Sequence, residues 1–245
     1  NVDCETITSG LPEGISIGES SSSCTIIWNN IDFAERGEYE LAIKASGDGE
    51  PKYYHTKITI YTWKIPLYAD EANFISIPHV AEDSDYREVV DGIKGNLDKI
   101  WVYQYNEEEG KNEWLYRYKS TSWYGSADFD DIVPGQGYIV FMENDDVLYG
   151  NAIHVLHNPD AVMTPPSVKL SKLGWNLIGH FGRTTKTITN SLDSLKSLGD
   201  ENPYWRKVLD KDQVEVPTNL EANKAYWLDM ENIHDATIDY YEYKL

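Results

Sequence analysis

The feature that most constrains this chain is an internal duplication. Ile65-Pro66-Leu67 precedes Asn73-Phe74-Ile75-Ser76 by the same spacing that separates Val168-Lys169-Leu170 from Asn176-Leu177-Ile178-Gly179. A helical stretch follows each time. Val89, Val90 and Ile93 fall on one face in the first set, and Ile188, Leu192 and Leu195 do so in the second. Gly95 and Gly199 stand where a helix ends in a left-handed cap, and Trp101 and Trp205 each follow six residues later. An aromatic strand closes each set. Gly137-Tyr138-Ile139-Val140-Phe141-Met142-Glu143 aligns without a gap with Ala225-Tyr226-Trp227-Leu228-Asp229-Met230-Glu231. Landmarks that recur in one order at near-constant spacing mean one supersecondary unit built twice. The chain must therefore fold around two copies of a small domain, over 63–163 and 164–245.

Each copy reads as a mainly β domain with one helix. The sheet needs cover on its apolar side, and the Val or Leu stripe of the helix supplies it. Trp101 and Trp205 are expected to anchor the core where the strand leaves the helix, because a buried indole removes so much apolar area from water. The copies differ in the middle. The first carries two long aromatic strands, 100–105 and 113–119, joined by Asn106-Glu107-Glu108-Glu109-Gly110-Lys111-Asn112, which reads as a hairpin with a polar tip. The second has only 204–209 and 213–216, and is shorter by about fifteen residues. The connection around Asn158-Pro159 and Thr164-Pro165-Pro166 is short and proline-marked, and should limit bending.

The first 62 residues follow another rule. Cys24-Thr25-Ile26-Ile27-Trp28, Tyr39-Glu40-Leu41-Ala42-Ile43 and Tyr54-His55-Thr56-Lys57-Ile58-Thr59-Ile60 alternate apolar and polar residues, the period of half-buried strands. Turn signals lie between them, and together they predict a β-sandwich. Cys4 and Cys24 are the only cysteines and sit close together in sequence. They are expected to form a disulfide, which places the chain in an oxidising compartment.

Two resemblances follow from these motifs. Gly10-Leu11-Pro12-Glu13-Gly14-Ile15-Ser16-Ile17, followed by Arg36-Gly37-Glu38-Tyr39-Glu40-Leu41-Ala42-Ile43, resembles the "GLPxGLSI" and "GxYxxxI" segments of immunoglobulin-like domains in bacterial and archaeal surface proteins. Gly174-Trp175-Asn176-Leu177-Ile178-Gly179 and Pro134-Gly135-Gln136-Gly137-Tyr138-Ile139 resemble the repeated "GWNLIS…PGxGYWI" domains of S-layer-like and other large extracellular chains. Each copy keeps a different end of the second motif. Ala72-Asn73-Phe74-Ile75 replaces the opening in the first copy, and Ala222-Asn223-Lys224-Ala225-Tyr226-Trp227 replaces the closing in the second. The resemblances imply an immunoglobulin-like module over 1–62, two repeat domains after it, and a place at the cell surface.

Charge narrows the function. Acids outnumber bases 41 to 21, for a net charge of -20. Nucleic acid is excluded as a partner, because a phosphate-binding face needs clustered Lys and Arg. The acidity has two readings: solubility with repulsion between crowded copies, or divalent-cation binding. For the second, Asp128, Asp130 and Asp131 crowd the loop before Pro134, and Glu143, Asp145 and Asp146 follow the first closing strand. Such oxygen-rich loops suit Ca²⁺, which takes about six to eight ligands. Glu82, Asp83 and Asp85 precede the first helix, where acids stabilise the N-terminus without any metal. His154 and His157 lie three apart with Asp160 as the only nearby acid, too few ligands for zinc.

No nucleophile elbow, zinc-protease motif or phosphate loop occurs in the sequence. The expectation is a non-catalytic protein without a cofactor, unless Ca²⁺ is held. The sequence has no apolar run long enough to span a membrane. Trp114, Trp123 and Tyr124 mark a candidate ligand-binding patch in the first copy's hairpin. Trp114, Tyr116 and Tyr118 alternate and share one sheet face, with Leu115, Arg117 and Lys119 on the other. The aromatic face is expected to point inward. The leading function is an extracellular structural or assembly protein of the cell surface, such as a coat, adhesin or filament subunit that contacts neighbouring copies or other surface proteins. The alternative is a glycan- or protein-binding module of a larger secreted protein, such as the non-catalytic part of a hydrolase.

Overall fold

The computed structural model describes residues 3–6, 15–19, 23–28, 37–47, 50–60, 63–77, 85–119, 124–126, 128–150, 167–180, 184–196, 203–213, 217–231 and 239–244. The fold is mainly β, in several antiparallel sheets with two short helices. Contacts divide the chain into two compact units. One is Asn1–Thr62 with Tyr149–His154, and the other is Trp63–Leu148 with Val155–Leu245. Gly199, Trp123, Glu82, Asp83, His154, His157 and the proline-marked connection lie outside the described residues.

The first unit contains β1 (Asp3–Thr6), β2 (Ile15–Glu19), β3 (Cys24–Trp28), β4 (Gly37–Ser46) and β5 (Lys52–Ile60). One sheet runs β1-β4-β5, and β2 pairs with β3. Leu41 and Ile43 alternate along β4 and are buried together, as a period of two requires. The expected disulfide joins the two sheets: Cys4 on β1 and Cys24 on β3 are bonded, with Cα atoms 6.0 Å apart. Closing this loop removes unfolded-state freedom worth about 3 kcal/mol. Cys4→Ser/Cys24→Ser should therefore lower stability by about that much, measured by urea unfolding. An unchanged midpoint would contradict the assignment of a structural role to this bond.

The second unit contains the described elements of both copies, except Tyr149 at the end of the last strand of the first. The first comprises β6 (Lys64–Leu67), β7 (Asn73–Ser76), α1 (Tyr86–Val89), β8 (Leu97–Asn106), β9 (Lys111–Tyr118), β10 (Tyr124–Gly125), β11 (Gly137–Met142) and β12 (Asp146–Tyr149). The second comprises β13 (Ser167–Ser171), β14 (Gly174–Gly179), β15 (Lys186–Thr187), α2 (Ile188–Ser191), β16 (Trp205–Leu209), β17 (Asn219–Leu220), β18 (Ala225–Met230) and β19 (Tyr240–Lys244). The sheet β10-β9-β8-β11-β7 contains, as β8-β11-β7, the order of β16-β18-β14. The β6–β12 pair likewise matches β13–β19.

The repetition reaches single hydrogen bonds. Asn73 Oδ1 accepts from Tyr68 N at 2.9 Å, while its Nδ2 donates to Tyr68 O and Glu71 O. Asn176 does the same at the same offsets, with Ser171 N, Ser171 O and Gly174 O. Both asparagines are buried and pin the turn before their strand. The Tyr138 hydroxyl accepts from Val133 N at 2.7 Å, and that of Tyr226 from Glu221 N at 2.8 Å. Burial pushes the pKa of both hydroxyls above its ordinary value, so they stay protonated at neutral pH.

Two expectations need correction. Trp101 and Trp205 are not equivalent. On β8 the register runs Phe141↔Lys99 then Met142↔Leu97, skipping Asp98; on β16 it runs Asp229↔Lys207 then Met230↔Trp205, skipping Arg206. Both copies thus carry a bulge at the same place, and the register matches Trp205 with Leu97 and Trp101 with Leu209. Trp205 packs on its copy's core, but Trp101 packs on the opposite face of its sheet. Gly95 is not a left-handed cap either, since it does not have a positive φ. The helix is a single turn. It passes into a 3-10 turn at Asp91–Ile93, and Asn96 N donates to Ile93 O at 2.9 Å. Such tight bonds satisfy the orphan carbonyls that a glycine cap would otherwise serve.

The helix faces behave as the periodicity requires. Val89, Val90 and Ile93 enter the first core with Ile100, Val102 and Tyr138. Ile188, Leu192 and Leu195 enter the second with Val208, Tyr226 and Leu228.

The copies meet about a pseudo-two-fold axis. Ser76 N donates to Asn223 O at 3.0 Å, and its counterpart Gly179 N donates to Gly135 O at 2.7 Å. The bridges Ile75↔Lys224 and Gln136↔Ile178 are reciprocal in the same way. Each contact of residue i with j is thus repeated with the copies exchanged, the signature of an isologous interface. Gly135 and Asn223 hold the same left-handed backbone, φ 84° and 64°, which glycine and asparagine tolerate best.

Candidate ligand-binding cleft between the two copies

Each sheet has two apolar faces. On β8, Ile100 and Val102 enter the first core, while Trp101 and Tyr103 point the other way. On β11, Tyr138, Val140 and Met142 enter it, while Ile139 and Phe141 point away. These outward residues form a third cluster with Phe74 and with Leu177, Ala225 and Trp227 of the second copy. Two glycines allow the close approach. A Cβ on Gly137 would lie 2.8 Å from Ile178 O, and one on Gly179 would lie 2.5 Å from Gln136 O. Ser76 Oγ donates to His180 O at 3.1 Å near the axis. Burial holds the imidazole of His180 below its ordinary pKa, so it is neutral at pH 7.

The aromatic face of β9 points outward from its own core, opposite to expectation. Leu115 and Arg117 are buried, and Trp114 is 42% exposed. The physical reason lies with Arg117. Its Nη2 donates to Asp130 Oδ1 at 2.7 Å and its Nε to Phe129 O at 2.8 Å, and its guanidinium lies 5.1 Å from the Tyr86 ring centre. With its charge paired and its flat group stacked, the arginine can occupy an inner face. The aromatic row is then free to meet the second copy. Trp114 lies edge-on to Trp227 at 6.0 Å and against Tyr103 at 4.8 Å.

Where this cluster reaches solvent it opens as a cleft of about 240 Å³ lined by Tyr103, Trp114, Trp175, Leu209, Gln213 and Trp227. Both copies contribute. Trp175, which opens the β14 motif, is 40% exposed. Drug-sized ligands use about 300–1,000 Å³, so this cleft suits one ring or one side chain. Of the residues singled out in the sequence, Trp114 lines it. Tyr124 is placed on β10 opposite Tyr118. Trp175 and Trp227 come from motif strands and were not singled out, because the cleft exists only once the copies are joined.

The acidic candidates are dispersed among structural tasks. Asp130 pairs with Arg117, and Glu143 with Lys119 at 2.7 Å. Asp145 accepts from Ala69 N, and Asp146 from Asn96 Nδ2 and Val147 N. Asp128 and Asp131 are exposed, and the backbone of Asp131 bridges to Asp85. Asp85 caps α1 by accepting from Arg87 N at 2.8 Å. Among the described residues, no group of three or more His, Cys, Asp or Glu is gathered to hold a metal ion. No described helix is long and apolar enough to cross a membrane. No family model, curated protein or solved structure matches this chain.

Proposed function

We propose that this chain is a non-catalytic building part of an extracellular surface protein, acting through contacts between modules and between neighbouring copies. The observation that carries this reading is the use made of its motif residues. Gly135, Gly137, Asn176, Gly179 and Asn223 serve the turns and the copy-to-copy junction, and none is spent on assembling a reactive centre. The Cys4–Cys24 disulfide fits an oxidising location, and the net charge of -20 keeps crowded copies soluble. Light scattering and electron microscopy over a concentration series, with and without Ca²⁺, should detect ordered oligomers. Monomers under every condition would remove the reading.

A second reading rests on the half-exposed Trp114 and Trp175. Indole faces at a one-ring cleft suit the apolar face of a neutral sugar, in a glycan-binding module of a larger secreted protein. Glycan-array binding that disappears in both Trp114→Ala and Trp175→Ala would support it. An array without hits would dismiss it.

A further inference from the structure

The face that the first copy's sheet turns to the second copy is laid out in rows across β9, β8 and β11. Tyr118, Lys99 and Phe141 form one row, and Tyr116, Trp101 and Ile139 form the next. The third pairs Trp114 with Tyr103. Trp227 of the second copy completes it, its ring centre 6.0 Å from that of Trp114 and 5.9 Å from that of Tyr103. The first row already holds a cation. Lys99 Nζ lies 4.5 Å from the Phe141 ring centre, 5.7 Å from that of Trp101 and 5.9 Å from that of Tyr118, each within the ~6 Å reach of a cation–π contact.

The third row has the aromatic surface without the cation. Among the described residues, no lysine or arginine stands over the ring of Tyr103, Trp114 or Trp227. These three rings line the cleft of about 240 Å³. Trp175 lines it too, 40% exposed and in ring contact with none of the three.

We infer that this cleft is an aromatic cage for a quaternary ammonium group, carried by a small soluble cation of the choline class. Shape, polarity and charge each favour that occupant. The rings do not make a flat platform of the kind a sugar stacks on: Trp227 stands at 76° to Trp114 and 60° to Tyr103, and these two are tilted by 38°. Walls at such angles suit a rounded group. Of the six lining side chains, only Gln213 carries an amide. A sugar would leave buried hydroxyls short of partners, at a cost for each, whereas a quaternary nitrogen has no hydrogen to donate and needs none. No lysine or arginine lines the cleft. The turn that supplies Leu209 and Gln213 carries Asp210 and Asp212, neither in an ion pair, while its Lys211 is held by Glu71. The net charge of -20 draws small cations towards the chain. Such a cage is independent of assembly and excludes a neutral sugar from the same cleft.

The test uses the whole chain and follows the indole N–H signals of Trp114 and Trp175 by nitrogen–proton correlation NMR. Tetramethylammonium and choline should both shift these signals and saturate. The neutral alcohol in which carbon replaces the nitrogen of choline should bind about tenfold more weakly or worse, because it keeps the shape and loses the charge that the rings attract. Trp175→Leu keeps an apolar wall and removes a ring that touches no other. Its circular dichroism should match that of the natural sequence, while choline affinity, read at Trp114, should fall about tenfold. Gln213→Gly sits at a left-handed position (φ 57°) that glycine tolerates. It should change choline affinity by less than about twofold, since the contact is with ring faces and not with an amide. Equal binding of the neutral alcohol, or choline binding undiminished in Trp175→Leu, would overturn the cage. So would a lack of response to choline, whether or not neutral sugars, phosphatidylcholine vesicles or a trimethyl-lysine peptide bind; sugar binding in that case would favour the glycan reading. Light scattering tests the assembly reading separately, and neither result decides the other.

Discussion

Gly179→Ala should destabilise the second unit by about 3 kcal/mol, the upper part of the usual range for overpacking a close contact. Its new Cβ would lie 2.1 Å from Ser76 Oγ, 2.6 Å from Ser76 Cβ and 2.5 Å from Gln136 O. The oxygen of Gln136 belongs to the backbone and cannot rotate aside. The copies must therefore separate or their strands must bend. Gly92→Ala is the control, because nothing lies within 4 Å of the added atom there, and it should change stability by no more than about 0.5 kcal/mol. Adding Ser76→Gly to Gly179→Ala should recover part of the loss, since two of the three crowding atoms belong to Ser76. The double variant should be more stable than the sum of the single effects, the sign of direct coupling. Urea unfolding followed by tryptophan fluorescence reads the natural protein, the three single variants and the double variant. Equal midpoints for Gly179→Ala and Gly92→Ala would contradict the packing described at the axis.

The second large effect is expected at Asn176. Its amide accepts from Ser171 N, donates to Ser171 O and Gly174 O, and accepts from Asn112 Nδ2 across the copies. Asn176→Ala strips partners from groups held in a buried turn. Each orphaned group costs about 1–3 kcal/mol, offset where water can enter, and a total near 3 kcal/mol is expected. Asn73→Ala should behave alike, because it orphans the equivalent turn and also Val140 O. Asn176→Asp should not rescue. It keeps the acceptor but loses both donated bonds and places a charge at a position only 2% exposed. Chemical unfolding of the three variants measures these effects. A loss below about 1 kcal/mol for Asn176→Ala, the worth of one ordinary hydrogen bond, would mean that the turn is not held by this side chain.

These two positions also mark how much was legible beforehand. Asn73 and Asn176 were visible as repeated landmarks, as were the closing strands with Tyr138 and Tyr226. The reason is physical, since a turn pinned by one amide demands that amide at one spacing. The faces of the aromatic strands were not legible. Alternation says that Trp114, Tyr116 and Tyr118 share a side, but it does not say which side is inner when both sides of a sheet are covered. Here the second copy covers the aromatic side, and the Arg117–Asp130 pair makes a cationic residue acceptable on the core side. Trp101 and Trp205 misled for another reason. The counterpart of Trp205 is Leu97, four residues before Trp101, and the bulge at Asp98 turns Trp101 onto the face opposite to Leu97; linear spacing shows neither the offset nor the bulge. The cleft is a property of the two-fold arrangement, so only Trp114 of the site could be found from the sequence.

The central claim is that the two copies form one body about a pseudo-two-fold axis. Hydrogen exchange at two amides tests it most directly. Ser76 N–H and Gly179 N–H have equivalent positions in the copies, and each donates across the axis, to Asn223 O and Gly135 O. Both should be protected as strongly as the central amides of β11 and β18, and both should lose protection together in Gly179→Ala. Exchange of these two at the rate of exposed amides, while β11 and β18 stay protected, would show that the copies fold as separate domains and would contradict the account.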